Sequence, residues 1–171
     1  MESAQGFDLG LNCGHVWPYV TGRDCLVGRM LDNAGVSPKL LGYVTAAIRT
    51  FPIRVGNVPD GSSGSCHHDQ YEISWDDVSK GCGKECMEMT TVTKRIRRVF
   101  TWSDEQIIRF LRTVRPDFAF LNFTNYWNAE DRFDRIKKVA DLLKRYGCKL
   151  EIVGYGPKQG EYLFVDDERL V

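Results

Sequence analysis

The chain has no long hydrophobic run. None of its apolar stretches approaches the roughly 20 residues that span a bilayer. Its start, Met1-Glu2-Ser3-Ala4-Gln5-Gly6, lacks the charge and apolar stretch of a secretory signal. A soluble cytoplasmic protein with no membrane partner is the expectation. There is no excess of either charge: 23 Lys and Arg balance 23 Asp and Glu, which argues against a general nucleic-acid binder. Cysteine is sparse as well. Cys13, Cys25, Cys66, Cys82, Cys86 and Cys148 are too few for a disulfide scaffold in 171 residues and suit a reducing compartment. No internal repeat is found. What remains is one domain's worth of chain, residues 1–171, long enough to bury a hydrophobic core.

Against that neutral background one segment is strongly basic. Thr90-Thr91-Val92-Thr93-Lys94-Arg95-Ile96-Arg97-Arg98 places hydroxyls just before a cluster of cations. Hydroxyls and backbone N–H groups donate to small anions, and guanidinium forks bind carboxylate or phosphate with two prongs. A solvated basic face is the plain alternative. Cys66-His67-His68 with Cys82-x3-Cys86 raises a second chemistry, tetrahedral zinc, although the spacing fits no common finger or ribbon.

Local patterns predict an α/β fold: a partly parallel sheet with flanking helices. Ser37-Pro38 reads as a helix start, followed by Leu41, Val44, Ala47 and Ile48 at helical spacing. Phe51 to Val55 reads as a strand. Residues 56–89, broken by Gly61-Ser62-Ser63-Gly64 and Gly81-Cys82-Gly83, read as a mobile or variable loop. Ser103-Asp104-Glu105-Gln106 is a capping box opening a helix through about Val114. Asp117 to Phe123 reads as a buried strand. Asn128 reads as the cap of a second helix, with Phe133, Ile136, Val139, Leu142, Leu143 and Tyr146 on one stripe and Gly147 ending it. Lys149 to Val153 and Tyr162 to Val165 complete the strands. The strand–helix–strand unit across 117–153 predicts a parallel pair joined by a right-handed crossover. Gly154-Tyr155-Gly156-Pro157 follows a strand end, where open α/β sheets place ligands; a tight turn is the plain alternative.

Five segments in order resemble the adenylosuccinate synthetase family. Glu2-Ser3-Ala4-Gln5-Gly6 resembles its Glu-Gly-Ala-Gln-Gly. Trp17-Pro18-Tyr19-Val20-Thr21 resembles its Tyr-Pro-Tyr-Val-Thr, and Arg54-Val55-Gly56 its Thr-Arg-Val-Gly. Thr91 to Arg98 is similar to its Thr-Val-Thr-Gly-Arg-Pro-Arg-Arg, and Gly154 to Pro157 to its Ser-Thr-Gly-Pro. The family joins L-aspartate to IMP in purine biosynthesis, using GTP and Mg²⁺. GTP phosphorylates the purine 6-oxygen, and the aspartate amine then displaces that phosphate. The resemblance implies that Gln5, Thr21 and Arg95 contact the purine nucleoside monophosphate. It implies that Thr91, Thr93, Arg95 and Arg97 hold the aspartate. Phe123, Asn125, Gly154, Gly156 and Pro157 would lie at the base of the triphosphate.

The departures also carry expectations. The chain aligns with about the last two-fifths of the family, so the phosphate loop and the catalytic Asp and His have no counterpart in these residues. This implies no catalytic residue and no metal ligand here, Mg²⁺ held mainly by a missing N-terminal part, and no turnover by these residues alone. A partner chain could supply that part, and the family implies a homodimer. The Lys and Asp of the family's Thr-Lys-Leu-Asp become Phe123 and Asn125. A carboxylate accepts both guanine N–H groups and an amide cannot, so GTP versus ATP stays open. Lys94 replaces a Gly. These changes resemble divergent viral relatives, some of which use deoxyguanylate in place of IMP. Two alternatives remain: a non-catalytic nucleotide- or dicarboxylate-binding module, and a zinc-containing interaction domain around residues 66–86.

Overall fold

The computed structural model describes residues 1–2, 6–20, 22, 25–55 and 63–165. Two sheets share one continuous piece of chain. The first has strand order β1-β5-β6-β7, made by Thr45–Arg49, Phe118–Asn122, Lys149–Gly154 and Tyr162–Phe164. β1 and β6 both run parallel to β5, and β7 is antiparallel to β6. The second sheet is antiparallel, β2-β4-β3, from Ile53–Arg54, Arg98–Phe100 and Glu72–Ile73. Thr50 sits where the chain leaves β1 for β2. It is fully buried, its N–H donates to Asn122 O (3.2 Å) and its hydroxyl to Phe123 O (2.8 Å). This joint fixes the end of the parallel sheet to the start of the antiparallel one.

The described residues form four α-helices: α1 (Val27–Asn33), α2 (Trp75–Cys82), α3 (Asp104–Val114) and α4 (Arg132–Arg145). α3 begins where the sequence places it. The Ser103 hydroxyl accepts from Gln106 N (3.0 Å), and Asp104 and Glu105 put negative charge at the positive end of the helix. The reciprocal half of the box is not made, because Gln106 Nε2 turns instead to Asp8. α4 buries Ile136, Val139, Leu142 and Leu143 and stops at Tyr146. Gly147 follows at φ +78°, a left-handed position that suits glycine. The core packs these residues with Ile107 and Leu111 of α3 against Ala119, Leu121, Leu150 and Val153 of the parallel strands.

Three expectations fail. The helix expected after Ser37 is a single 3-10 turn, Pro38–Leu40; Ser37 caps it at Lys39 N (3.4 Å), and strand β1 follows. Ala46 and Ile48 are buried at period two, and Val44 N donates to Asp117 Oδ2 (2.8 Å), so pairing with β5 overrides the helical spacing. Residues 63–89 are not simply loop. They contain β3 and α2, the latter opened by a complete capping box between Ser74 and Asp77 and closed at Gly83 (φ +71°). α4 begins at Arg132; Asn128 instead makes a turn by accepting from Glu130 N (3.1 Å), and Phe133 is half exposed.

Candidate functional site

The candidate residues fall in three clusters. The first is built on residues 6–22. A 3-10 turn spans Phe7–Leu9, and Gly22 is bridged to Leu9 and Leu11 (Leu11 N to Gly22 O, 2.6 Å; Gly22 N to Leu9 O, 3.1 Å). The Trp17–Pro18 peptide is cis. Gln5 and Thr21, expected at the purine monophosphate, lie outside the described residues. The anchor of this segment is Asp8. Its Oδ2 accepts from His67 Nε2 (2.9 Å) and Gln106 Nε2 (2.6 Å), and its Oδ1 from Arg109 Nη1 (2.8 Å). A carboxylate can only accept, so His67 Nε2 carries a proton toward Asp8. Burial alone would raise the Asp8 carboxyl, but the hydrogen bonds from His67 and Gln106 and the charges of His67 and Arg109 hold it below its usual value. His15 stacks on His67 (ring centroids 3.8 Å), and burial followed by His67 pushes its imidazole down. Arg109 also donates to Cys13 O.

The second cluster is the basic run, and it divides. Met89 and Ile96 form an antiparallel bridge, so residues 88–97 make a hairpin. Thr90 N donates to Arg95 O (2.8 Å), Arg95 N to Thr90 Oγ1 (2.9 Å), and Arg97 N to Glu88 O (2.9 Å). Thr90 and Thr93 share a hydroxyl hydrogen bond of 2.6 Å. Thr91, Thr93, Lys94 and Arg95 are exposed at the tip, whereas Arg97 is half buried and its Nε donates to Met89 O (3.3 Å). Lys94 has φ +52°, the conformation that a glycine adopts without strain, which accounts for the Gly of the related motif. Arg98 belongs to β4. Its fork is taken by Glu72 (2.9 and 2.6 Å), and Nη1 reaches Gly64 O (2.8 Å), so it serves the second sheet.

The third cluster lies at the C-terminal ends of β5 and β6. Phe123 has φ +63° and leads into a 3-10 turn, Thr124–Tyr126. Thr124 is buried and its hydroxyl donates to Gly154 O (3.0 Å), tying the two strand ends together. Gly154 permits this approach: a Cβ there would meet Asn122 Oδ1 at 2.6 Å and the Phe120 ring at 3.1 Å. Asn125 is half buried beside Phe123. Gly156 and Pro157 lie in the turn before β7, where Tyr155 N donates to Glu161 O (2.9 Å) and the Glu161 carboxylate covers Gly156. A cavity of about 200 Å³ opens beside this end, lined by Thr124, Arg132, Phe133, Ile136, Val153, Tyr155 and Leu163.

The alternative zinc residues are engaged apart. Cys66 Sγ donates to Gln70 O (3.0 Å), His67 faces Asp8, and Cys82 and Cys86 touch each other (Sγ–Sγ 3.3 Å). Among the described residues no group of three or more His, Cys, Asp or Glu side chains is placed to hold a metal ion.

The adenylosuccinate synthetase family model matches residues 1–139. The chain belongs to this family. An N6-succino-2-amino-2'-deoxyadenylate synthase of Salmonella phage PMBT28 is 39% identical over 163 residues, covering 92% of this chain and 42% of that protein. The succinoaminodeoxyadenylate synthetase of cyanophage S-2L, in a structure bound to dGMP and to dATP as an energy donor, superimposes with a TM-score of 0.81. It is 31% identical and covers 95% of this chain and 45% of that one. An adenylosuccinate synthetase of Neisseria meningitidis is 32% identical over 108 residues, 63% of this chain and 22% of that protein. The chain thus spans less than half the length of the relatives it matches. The family's fold accounts for the mixed sheet and flanking helices. No helix among the described residues is long and apolar enough to cross a membrane.

The adenylosuccinate synthetase motifs gather the hairpin residues Thr91, Thr93, Arg95 and Arg97 on one element, and Phe123, Asn125, Gly154, Gly156 and Pro157 at one sheet end. Residues outside the family motifs hold these pieces: Asp8, His67, Gln106 and Arg109 at the first cluster, and Arg49, Glu88 and Tyr126 between the other two. Gln106 is legible as the end of the α3 capping box, His67 only as a zinc candidate, and the Ser74-x-x-Asp77 cap as a signal for α2; Asp8, Arg109, Arg49, Glu88 and Tyr126 carry no local signature.

Proposed function

We propose that this chain is the aspartate- and purine-binding portion, residues 1–171 as one domain, of a ligase that joins L-aspartate to the 6-position of a purine nucleoside monophosphate. The purine substrate is 2'-deoxyguanylate and the phosphate donor an adenine nucleotide. Likeness to phage enzymes over nine-tenths of the chain supports this choice, against likeness to an adenylosuccinate synthetase over 63%. The observation that carries it is the pairing of an arginine-bearing hairpin with a strand end where Asn125 stands in place of a guanine-reading carboxylate.

The purine 6-oxygen attacks the γ-phosphorus and releases the nucleoside diphosphate. The aspartate amine then attacks C6 and phosphate leaves. Arg95 and Arg97 orient the two aspartate carboxylates, with Thr91 and Thr93 donating at the hairpin tip; charge-assisted, two-pronged contacts fix geometry as well as energy. Gln5, Thr21 and Arg95 hold the monophosphate. Phe123, Asn125, Gly154, Gly156 and Pro157 receive the donor base. The phosphate cradle, Mg²⁺ and the catalytic acid and base come from another part of the enzyme, and these supply most of the rate acceleration of phosphoryl transfer. A homodimer in the cytoplasm completes the reading.

The test is succinyl-purine formation from dGMP or IMP, aspartate, and ATP or GTP, by the chain alone and with a phosphate-loop part of the family. Expected is turnover only with that part, faster with dGMP and ATP. Turnover by residues 1–171 alone overturns the division of labour, and preference for IMP overturns the substrate. Retained dicarboxylate binding without turnover in either case indicates a non-catalytic module.

A further inference from the structure

Between the hairpin and the donor-base end lies a polar hub that no motif of the family resemblance uses. Arg49 is the last residue of β1 and pairs in register with Asn122, the last of β5. All of its guanidinium nitrogens are committed. Nη2 and Nη1 fork onto the Glu88 carboxylate at 2.5 and 3.3 Å, and Nε donates to Phe51 O at 2.7 Å. The same guanidinium lies over the Phe123 ring, 4.3 Å from its centroid. Tyr126 closes the group. Its ring tilts against Phe123 at 5.4 Å and meets Trp75 edge-on at 6.3 Å.

Glu88 is also the root of the hairpin, because its carbonyl accepts from Arg97 N. The Arg49 and Glu88 side chains are only 22% and 20% exposed, so salt screens the pair weakly. One carboxylate therefore connects the strand that carries Arg97 to the ring of Phe123. A pair that only filled space would be replaceable by apolar side chains; this one has directional bonds to two separate ligand-facing elements.

We infer that Arg49, Glu88 and Tyr126 are positioning residues that hold the aspartate-binding hairpin at a fixed distance from the donor-base end at Phe123. The inference rests on the proposed reading for what each end binds, and on the geometry alone for the fixing itself. The aspartate amine must add to the face of C6 while the phosphate delivered by the donor is still on the 6-oxygen, so the two ends need a rigid spacing. Loss of the hub loosens both ends and leaves the segment around Asp8 in place.

Two measurements test it. Lys94 and Arg95 sit exposed at the hairpin tip, so tryptic cleavage after them reports local opening. In the full chain, Glu88→Gln and Arg49→Met should each speed this cleavage about tenfold relative to cleavage elsewhere. The double variant should be no worse than the worse single, and Arg49→Lys should be intermediate. Unchanged cleavage in both single variants overturns the inference whatever the activity.

In the enzyme completed by its phosphate-loop part, the same variants should raise KM for aspartate and for the donor by about tenfold, with KM for the purine monophosphate within about twofold. Faster cleavage with all three KM values unchanged overturns the link to substrate. If the wild-type enzyme forms no succinyl-purine at all, the proposed function falls, and the cleavage result still decides the fixing.

Discussion

Replacing Asp8 tests the first cluster more severely than any other single change. Its carboxylate accepts from three side chains, His67 before β3 and Gln106 and Arg109 on one face of α3, all far from it in the sequence. In Asp8→Ala the His67 N–H is left in a buried site, since His67 is 3% exposed. A buried donor without an acceptor costs about 1–3 kcal/mol. Gln106 loses the same acceptor, but its amide retains a second contact with Gln70 Nε2 at 3.4 Å. Arg109, one-third exposed, can turn to water, so its ion pair is counted at no more than a surface value of about 0–1 kcal/mol. The sum is about 1–4 kcal/mol, or roughly 2–16 °C in Tm for a chain of this size. Asp8→Asn should recover little, because one face of the amide presents N–H to donors that are already N–H. The assay is thermal unfolding followed by circular dichroism, with Asp32→Ala as a control at an exposed i,i+3 pair. A loss below about 0.5 kcal/mol, the range of ordinary surface changes, would refute the network.

Further expectations follow from the same geometry. Arg97→Ala should weaken dicarboxylate binding by about 1.5–3 kcal/mol, the worth of a hydrogen bond to a charged group, with a Tm close to wild type; calorimetry decides. Asn125→Asp should shift donor preference toward GTP in the completed enzyme, and strong GTP preference in the wild type would mean that this strand end does not read the base. Gly154→Ala should cost about 1–3 kcal/mol, since its Cβ would press on Asn122 and Phe120; equilibrium unfolding in urea measures this. In acid, stability should fall in two stages. His15 is held below its ordinary 6.5, so the unfolded chain gains a proton first and stability declines as pH drops from about 6.5 toward its folded value. Asp8 and Asp69, whose hydrogen bonds outweigh the effect of burial, lie below 3.8; their contribution is present above that value and is lost as pH falls through their lower folded values. A pH series of Tm for wild type and Asp8→Asn separates the second stage.

Much of the parallel sheet was readable because its signals are local. Ser103 with its acidic first turn announces α3, and the alternating or continuous apolar runs at 118–122 and 149–153 announce β5 and β6. β1 was not readable. Leu41, Val44, Ala47 and Ile48 satisfy a helical period by composition, while the pairing that decides the matter comes from residues more than seventy positions away, such as Asp117. α2 was obscured by glycine and cysteine, although its cap was in plain view. The candidate site divides in the same way. The hairpin was legible as a run of cations, but that Arg98 belongs to Glu72 and the second sheet could not be, because the pair is separated by 26 residues. The contacts of Asp8 with His67 and of Arg49 with Glu88 span 59 and 39 residues and have no spacing to detect.

The cap of α3 has one more effect. Ser103 Oγ donates to Asp69 Oδ1 (2.5 Å) and Glu105 N to Asp69 Oδ2 (2.9 Å), while Gln106, on the same turn, reaches Asp8. A single helix N-terminus thus serves as the mount for both residues 6–16 and residues 66–73. For anyone recombining this chain with a relative, these are not three exchangeable cassettes. A transplant of the first twenty residues would arrive without its fasteners unless the segment around His67 and the opening turn of α3 travelled with it. A crossover placed between Cys82 and Arg98 would instead separate Glu72 from its arginine. A handover at Arg115 would keep this mount intact but would part β1, Arg49 and Thr50 from Asn122 and Phe123, so the joint between the sheets must travel with it.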